Sequence, residues 1–389
     1  MNPLQSEEEG CYPMKKSIKV ITSLLALLLI DSLPAAPLAG TALAAAYASD
    51  VTVNRSDSLS RLFTDKPEYC LYCGEVHTGS GGRFKQFFHD AAYFFCGIVG
   101  RYPGEGRMYF TADTLDVGAD EPFYFIHIGD THVSYIDERD CGDARLVETA
   151  GKRADYCPKD LRMLDDVALK ARELDAFIVN TGDLIDFVSR KNLDIAREFN
   201  TKNDVFTSAG NHEYHVYIWD DGDNYERRDR VRDTVKAAYT NDIEFSVRIE
   251  HGVKFIAMDN AFHNIDARQL ERFKEELAKD DLPIILALHV PVYAPDIFAF
   301  QMEKLDYDHP AWLMGVPEEL MREYRYSETD YAEQKANEST KEFCDLIRTS
   351  SEIKAIVTGH DHAHFVSQVT PTLRQYMVDC TEGQIFEVR

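Results

Sequence analysis

Five short apolar runs in this chain each stop on residues able to hold a cation or move a proton, and that recurrence constrains the fold more than any other feature. Phe123–Ile128 is followed by Gly129-Asp130-Thr131-His132, Ala176–Asn180 by Gly182-Asp183, and Asp204–Ser208 by Gly210-Asn211-His212-Glu213. Pro283–Leu288 leads into His289, and Ile353–Val357 into Gly359-His360-Asp361-His362. Further strands are expected at Phe245–Ile249 and Val253–Met258, and helices at Asp160–Leu174, Asp266–Ala278 and Lys341–Ser350. Strands alternating with helices predict an α/β domain. Groups standing at the carboxyl ends of such strands converge on one crevice.

Taken singly, each cluster has an ordinary explanation. A Gly-Asp pair makes turns, an Asn-His pair caps a helix, and a histidine at a strand end is commonly a satisfied polar group. Turn chemistry does not account for all five together. The joint donor set is Asp130, His132, Asp183, Asn211, His289, His360 and His362, all nitrogen or oxygen ligands with no cysteine. It is too large for one tetrahedral ion and suits two divalent transition metals that share a carboxylate. Imidazole and carboxylate accept Mn, Fe, Zn or Co, so the donors do not choose the metal. Two such ions, roughly 3.5–4 Å apart, clamp an in-line displacement and lower the pKa of bound water.

Charge narrows the partners. Lys and Arg number 42 against 67 Asp and Glu, a formal charge of −25. A polyanion of this size repels nucleic acid and anionic membrane, so no nucleic-acid partner is expected. A small phosphate-ester substrate would need a local source of positive charge, which a binuclear centre supplies.

The ordered motifs Asp-x-His, Gly-Asp, Gly-Asn-His-Glu, His and Gly-His-x-His, spanning about Phe123 to His364, resemble the calcineurin-like metallophosphoesterase superfamily. The resemblance implies a four-layer αββα sandwich with the metal pair at the sheet edge. It also implies that Asp130, His132 and His362 hold one ion, that Asn211, His289 and His360 hold the other, and that Asp183 bridges them. His212 matches the family's non-ligand histidine, which protonates the leaving oxygen or steadies charge on the phosphate. Glu213 either orients that imidazole or serves as a cap or ion-pair partner. The implied activity is hydrolysis of a phosphomonoester or phosphodiester by a hydroxide held between the two ions. A catalytically silent, metal-stabilised surface or binding protein is the alternative, and the intact His212 argues against it.

Departures narrow the subfamily. Purple acid phosphatases carry tyrosine three positions after the Gly-Asp aspartate, where this chain has Asp186, and they lack the counterpart of His132. The Ser/Thr phosphatase motif is not matched by Gly182-Asp183-Leu184-Ile185-Asp186-Phe187-Val188. With 25 residues after His364, the C-terminal substrate domain of two-domain nucleotidases is not expected.

Three regions precede or interrupt the motif-bearing domain, which is expected over 121–389. Residues 1–48 read as leader and signal peptide: Lys15, Lys16 and Lys19, an apolar run Val20–Ile30, and the small-x-small site Ala46-Tyr47-Ala48. The run is too short to span a bilayer, so export with cleavage near Ala48 and no retained anchor is expected. Residues 49–120 are expected to form a small segment containing Cys70, Cys73 and His77, which suit zinc, a disulfide or plain packing, and a Phe-rich helical stretch Arg83–Val99. Cys141 and Cys157 bracket one polar segment and are the expected bridge. The stretch 295–337 is an insertion; with its flanks it carries Tyr293, Phe298, Phe300, Tyr307, Trp312, Tyr324 and Tyr326, either a wall for the substrate or packing.

Overall fold

The computed structural model describes residues 107–156, 161–218, 225–304 and 311–389. The leader, the Cys70/Cys73/His77 cluster, the Arg83–Val99 stretch and Cys157 lie outside the described residues. Cys141 is disulfide-bonded.

Two sheets form the frame. The first has the order β1 (Tyr109–Leu115), β11 (Glu382–Val388), β2 (Phe123–Ile128), β3 (Phe177–Asn180) and β4 (Val205–Thr207). The second runs β5 (Phe245–Glu250), β6 (Val253–Met258), β7 (Ile284–Ala287), β8 (Ile353–Thr358), β10 (Arg374–Met377) and β9 (Phe365–Gln368). Strands β2, β3 and β4 are mutually parallel, as are β6, β7, β8 and β10, so the carboxyl ends of the motif-bearing strands point the same way within each sheet.

Both faces of the central strands are buried, which is why their sequences read as unbroken apolar runs. Along β2, Phe123 and Phe125 face the second sheet while Ile126 and Ile128 face helices. Along β7, Ile285 and Ala287 join the inter-sheet core, and Ile284 and Leu286 join the opposite cluster. The strand period of two therefore divides each run between two cores. The inter-sheet core is aromatic, with Phe125 stacked on Phe386 at 4.8 Å and set edge-on to Phe255 at 5.2 Å.

Helices α2 (Arg162–Leu174), α3 (Arg190–Lys202) and α4 (Tyr225–Lys236) cover the outer face of the first sheet. Helices α5 (Ala267–Lys279) and α9 (Glu338–Thr349) cover the second. The result is the expected four-layer αββα arrangement. Helix α5 starts with a capping box between Asp266 and Gln269, and α9 is capped by Asn337. The described residues of the stretch 295–337 hold α6 (Pro295–Lys304), α7 (Glu318–Glu323) and α8 (Glu328–Gln334), beside a satellite core around Phe298. Helix α1 (Ala144–Tyr156) follows the first motif.

One boundary moves. The first sheet begins at Tyr109, inside the stretch assigned to the N-terminal segment, because β1 pairs in parallel with β11 from Tyr109↔Glu382 to Leu115↔Val388. Helix α9 starts at Glu338, ahead of the expected Lys341, where the Asn337 side chain accepts the Thr340 N–H.

Candidate metal centre

All eight singled-out residues meet at the carboxyl ends of the strands. Asp130 and His132 follow β2, Asp183 follows β3, Asn211 and His212 follow β4, His289 follows β7, and His360 and His362 follow β8. Asp130 (φ 56°), His132 (44°), Asp183 (53°), His360 (76°) and His362 (51°) all take left-handed backbone conformations. Each such conformation costs a non-glycine residue about 1–3 kcal/mol and persists only where the surroundings over-determine it. Here the loops fix one another. The Asp130 N–H donates to the Gly182 carbonyl at 3.0 Å, the His132 N–H to the Asp183 carbonyl at 2.9 Å, and the His360 N–H to the Asp130 carboxylate at 2.9–3.0 Å. Two motif glycines admit these approaches, since a Cβ on Gly210 would overlap the Asp183 carboxylate and one on Gly359 the Asp130 carboxylate.

The donor atoms form two adjoining groups. Asp130, His132 and His362 bring ligand atoms within 4.8 Å of one another, and so do Asp130, Asp183 and His289. Asp183 Oδ2 lies 3.6 Å from His132 Nε2 and 3.4 Å from His289 Nε2, between one histidine of each expected ligand set. Asn211 Oδ1 and His360 Nδ1 stand 3.0 and 3.1 Å from His289 Nε2. His132 Nε2 and His362 Nε2 are 2.9 Å apart.

These residues fit cations on the chemistry of the donors. His289 Nδ1 lies 2.8 Å from the Thr181 carbonyl oxygen, which can only accept, so Nδ1 carries a proton and in the neutral form of the ring Nε2 turns a lone pair into the site. That lone pair meets the Asn211 carbonyl oxygen and the Asp183 carboxylate, both acceptors. His132 is arranged alike, with Nδ1 3.0 Å from Asp186 Oδ1 and Nε2 inward. Lone pairs gathered at about 3 Å require either a cation or added protons among them. Added protons do gain favour: burial opposes charge on His289, yet Asp183 and Asp130 overcome it and raise the imidazole to about 10. Burial would likewise raise the Asp183 carboxyl, but His289, His212 and His132 hold it well below the usual range. Burial, His289 and His263 keep His360 neutral.

A third group, His132, Asp186 and His212, is organised differently. Arg153 of α1 grips Asp186 with two bonds of 2.7 and 2.6 Å, so this carboxylate already has its cation. Asp186 also receives His132 Nδ1, and His212 Nδ1 lies 2.7 Å from its carbonyl and 3.2 Å from its carboxylate. The His212 and His132 rings meet edge-on at 4.4 Å. Burial disfavours charge on His212, but Asp183 and Asp186 lift it to about 9.

Glu213 turns away from His212. Its carboxylate accepts the backbone N–H groups of Asp183 at 2.7 Å, Leu184 at 2.9 Å, Ile185 at 3.3 Å and Gly210 at 2.8 Å, plus the Tyr239 hydroxyl at 2.8 Å. It fastens the second motif loop to the third. Burial and the Asp183 charge raise its pKa to about 7 against those bonds. In the sequence Asp186 stands out only as the position where tyrosine is missing, and Arg153 does not stand out at all. Arg153 approaches from a distant helix and had no local signal.

A family model described as calcineurin-like phosphoesterase matches residues 123–364. No curated protein sequence matches the chain. Among solved structures, a dimetal phosphatase from Danio rerio is 14% identical at a TM-score of 0.39, the match covering 67% of this chain and 89% of that one. A phosphopantetheinyl hydrolase from Mycobacterium tuberculosis is 12% identical at 0.35, covering 66% and 89%. A 5'-nucleotidase from Candida albicans is 15% identical at 0.31, covering 69% of this chain and 47% of that one.

Proposed function

Because this chain belongs to the calcineurin-like phosphoesterase family, whose members are dimetal-dependent, we propose that it is a secreted enzyme hydrolysing a small phosphomonoester or phosphodiester. Asp130, His132 and His362 would hold one divalent ion, Asn211, His289 and His360 the other, and Asp183 would be shared. Two such ions supply the positive charge that receives phosphoryl oxygens and the acidity that makes water nucleophilic near neutral pH.

The chain's own groups carry the rest. Thr181 and Asp186 fix the rings of His289 and His132, so their inward lone pairs are set before substrate arrives. Asp186 anchors the Nδ1 edge of His212, leaving Nε2 to deliver the proton that the departing oxygen needs. Arg153 balances the Asp186 charge, which lets one carboxylate serve both rings. The observation that carries the reading is the inward Nε2 of His289, facing only acceptors and a second imidazole. Export is supported by the charged, apolar and small-residue order of the leader. Among the described residues no helix is long and apolar enough to cross a membrane.

Metal analysis of protein purified without chelator, paired with p-nitrophenyl phosphate and bis(p-nitrophenyl) phosphate assays, tests this. Two bound transition ions with turnover on either ester are expected, and the preferred ester separates monoesterase from diesterase. Bound ions with no turnover on either would leave a metal-stabilised binding protein. N-terminal sequencing of exported protein should start near residue 49; material beginning at Met1 removes the signal-peptide reading.

A further inference from the structure

The insertion brings several aromatic side chains toward the centre, and the structure sorts them. Phe298 is buried in the satellite core, where Tyr293 and Tyr324 pack on it edge-on at 5.9 and 5.1 Å. Phe300 stacks on Phe365 at 4.3 Å, and the Tyr326 hydroxyl donates to the Ala311 carbonyl at 3.0 Å. These are packing residues. Trp312 is different: its half-buried ring lies 5.6 Å from that of His263, and the His263 ring stands 5.5 Å, edge-on, from His360.

The backbone beside Trp312 is tied to the segment that follows His289. The segment around it pairs with the chain just after His289, with the Met314 N–H donating to the Pro291 carbonyl at 2.8 Å and the Tyr293 N–H to the Met314 carbonyl at 2.9 Å. The Asn260 side chain bolts the loop after β6 to the same place, accepting the His289 and Val290 N–H groups at 2.9 and 3.1 Å and donating to the Val290 carbonyl at 2.7 Å. Three residues on, His263 is fully buried in a left-handed conformation (φ 61°). It backs the indole at a 40° tilt. Among the described residues no other ring touches Trp312, so its second face is not taken by an aromatic neighbour.

On the phosphoesterase reading above, we propose that Trp312 is the platform on which the flat ring of the substrate's leaving group stacks, which makes nucleoside phosphates the preferred esters. An indole face stacks on any planar base without a matched hydrogen-bond pattern. A flexible acyl chain would need a groove on several sides, whereas Trp312 offers one rigid face. A neutral base also suits a chain of charge −25 better than a second anionic group.

AMP and ribose 5-phosphate share the same phosphomonoester and differ in the base, so the metal-loaded protein is assayed on both. The kcat/KM for AMP should exceed that for ribose 5-phosphate by about tenfold. Trp312→Ala should remove that preference, while Trp312→Phe keeps most of it. A second measurement needs no turnover: with Trp219, the other tryptophan, replaced by phenylalanine, adenosine should quench the fluorescence of Trp312. Equal kcat/KM on the two esters, or equal proportional losses in Trp312→Ala, overturns the platform and leaves the phosphoesterase standing. Hydrolysis of neither ester with turnover of bis(p-nitrophenyl) phosphate marks a diesterase, hydrolysis of none of the three counts against the phosphoesterase, and in both cases adenosine quenching decides the platform alone.

Discussion

His289 Nδ1 lies 2.8 Å from the carbonyl oxygen of Thr181, two residues before Asp183. The loop that places Asp183 therefore also chooses the tautomer of a histidine more than a hundred residues away. The site is cross-braced in this way throughout, so substitutions at orienting residues should register in metal binding as well as in turnover.

His212 is the test of proton donation. His212→Ala should keep both metals and lose about 10²–10⁴ in turnover on an alkyl phosphate, the usual span for general acid catalysis. On p-nitrophenyl phosphate, whose leaving group needs no proton, the loss should be much smaller. Equal losses on the two esters remove the assignment.

Asp186 holds His132 and His212 at once and is itself held by Arg153. Asp186→Asn should weaken manganese affinity by about 10–100-fold, as loss of a carboxylate behind a ligand imidazole generally does. It should also lower kcat at saturating metal, because the His212 ring loses its anchor. Calorimetric titration with manganese separates the two effects; unchanged affinity would falsify the orienting role for His132.

Glu213 tests scaffold rather than chemistry. Glu213→Ala strands four backbone N–H groups and the Tyr239 hydroxyl in a buried place. One buried unsatisfied donor costs about 1–3 kcal/mol, so the variant should lose at least about 3 kcal/mol, read as a lower denaturation midpoint. Wild-type stability would mean that these donors find other partners.

His127 sets an acid limit on stability. Burial lowers its pKa from 6.5 to about 4, with the Gln384 bond opposing and the charge of His364 adding to the shift. Above about pH 6.5 the ring is neutral whether folded or unfolded, and it leaves stability unchanged. As pH falls from there toward 4 the unfolded chain takes up a proton that the folded one refuses, costing about 2–3 kcal/mol by pH 4.5. His127→Gln should flatten that part of the stability curve, compared by urea midpoints at pH 7.5 and 4.5.

The candidate ligand residues are legible because the backbone puts them at the ends of strands buried on both faces. The run Phe123–Ile128 and the aspartate and histidine after it can be read without coordinates, and β2 and β6 lie where expected. Strands β1 and β11 could not be read this way. β1 is mostly half-buried or exposed, and β11 holds Gly383 where the Phe110 ring crosses. Both owe their state to partners far along the chain, a context that overrides local propensity. Helix α3 is hard to read in the sequence because it is rich in polar residues, although Ser189 caps it through the Asn192 N–H at 2.9 Å. Arg153 and His263 show no pattern at all; a buried ion pair and a ring wedged between two others exist only once the loops are closed.

Strand β11 lies between β1 and β2, which are neighbours in sequence. Among the described residues β1 has no other partner in the sheet, so during synthesis it waits for a partner some 270 residues further on, as the Thr111–Glu382 bond spans 271 positions. Closure over so long a loop is slow and leaves a sticky ribbon exposed meanwhile. The polar texture of β1, with Thr111, Asp113 and Thr114 along its length, gives the nascent polypeptide a safeguard against joining the wrong neighbour.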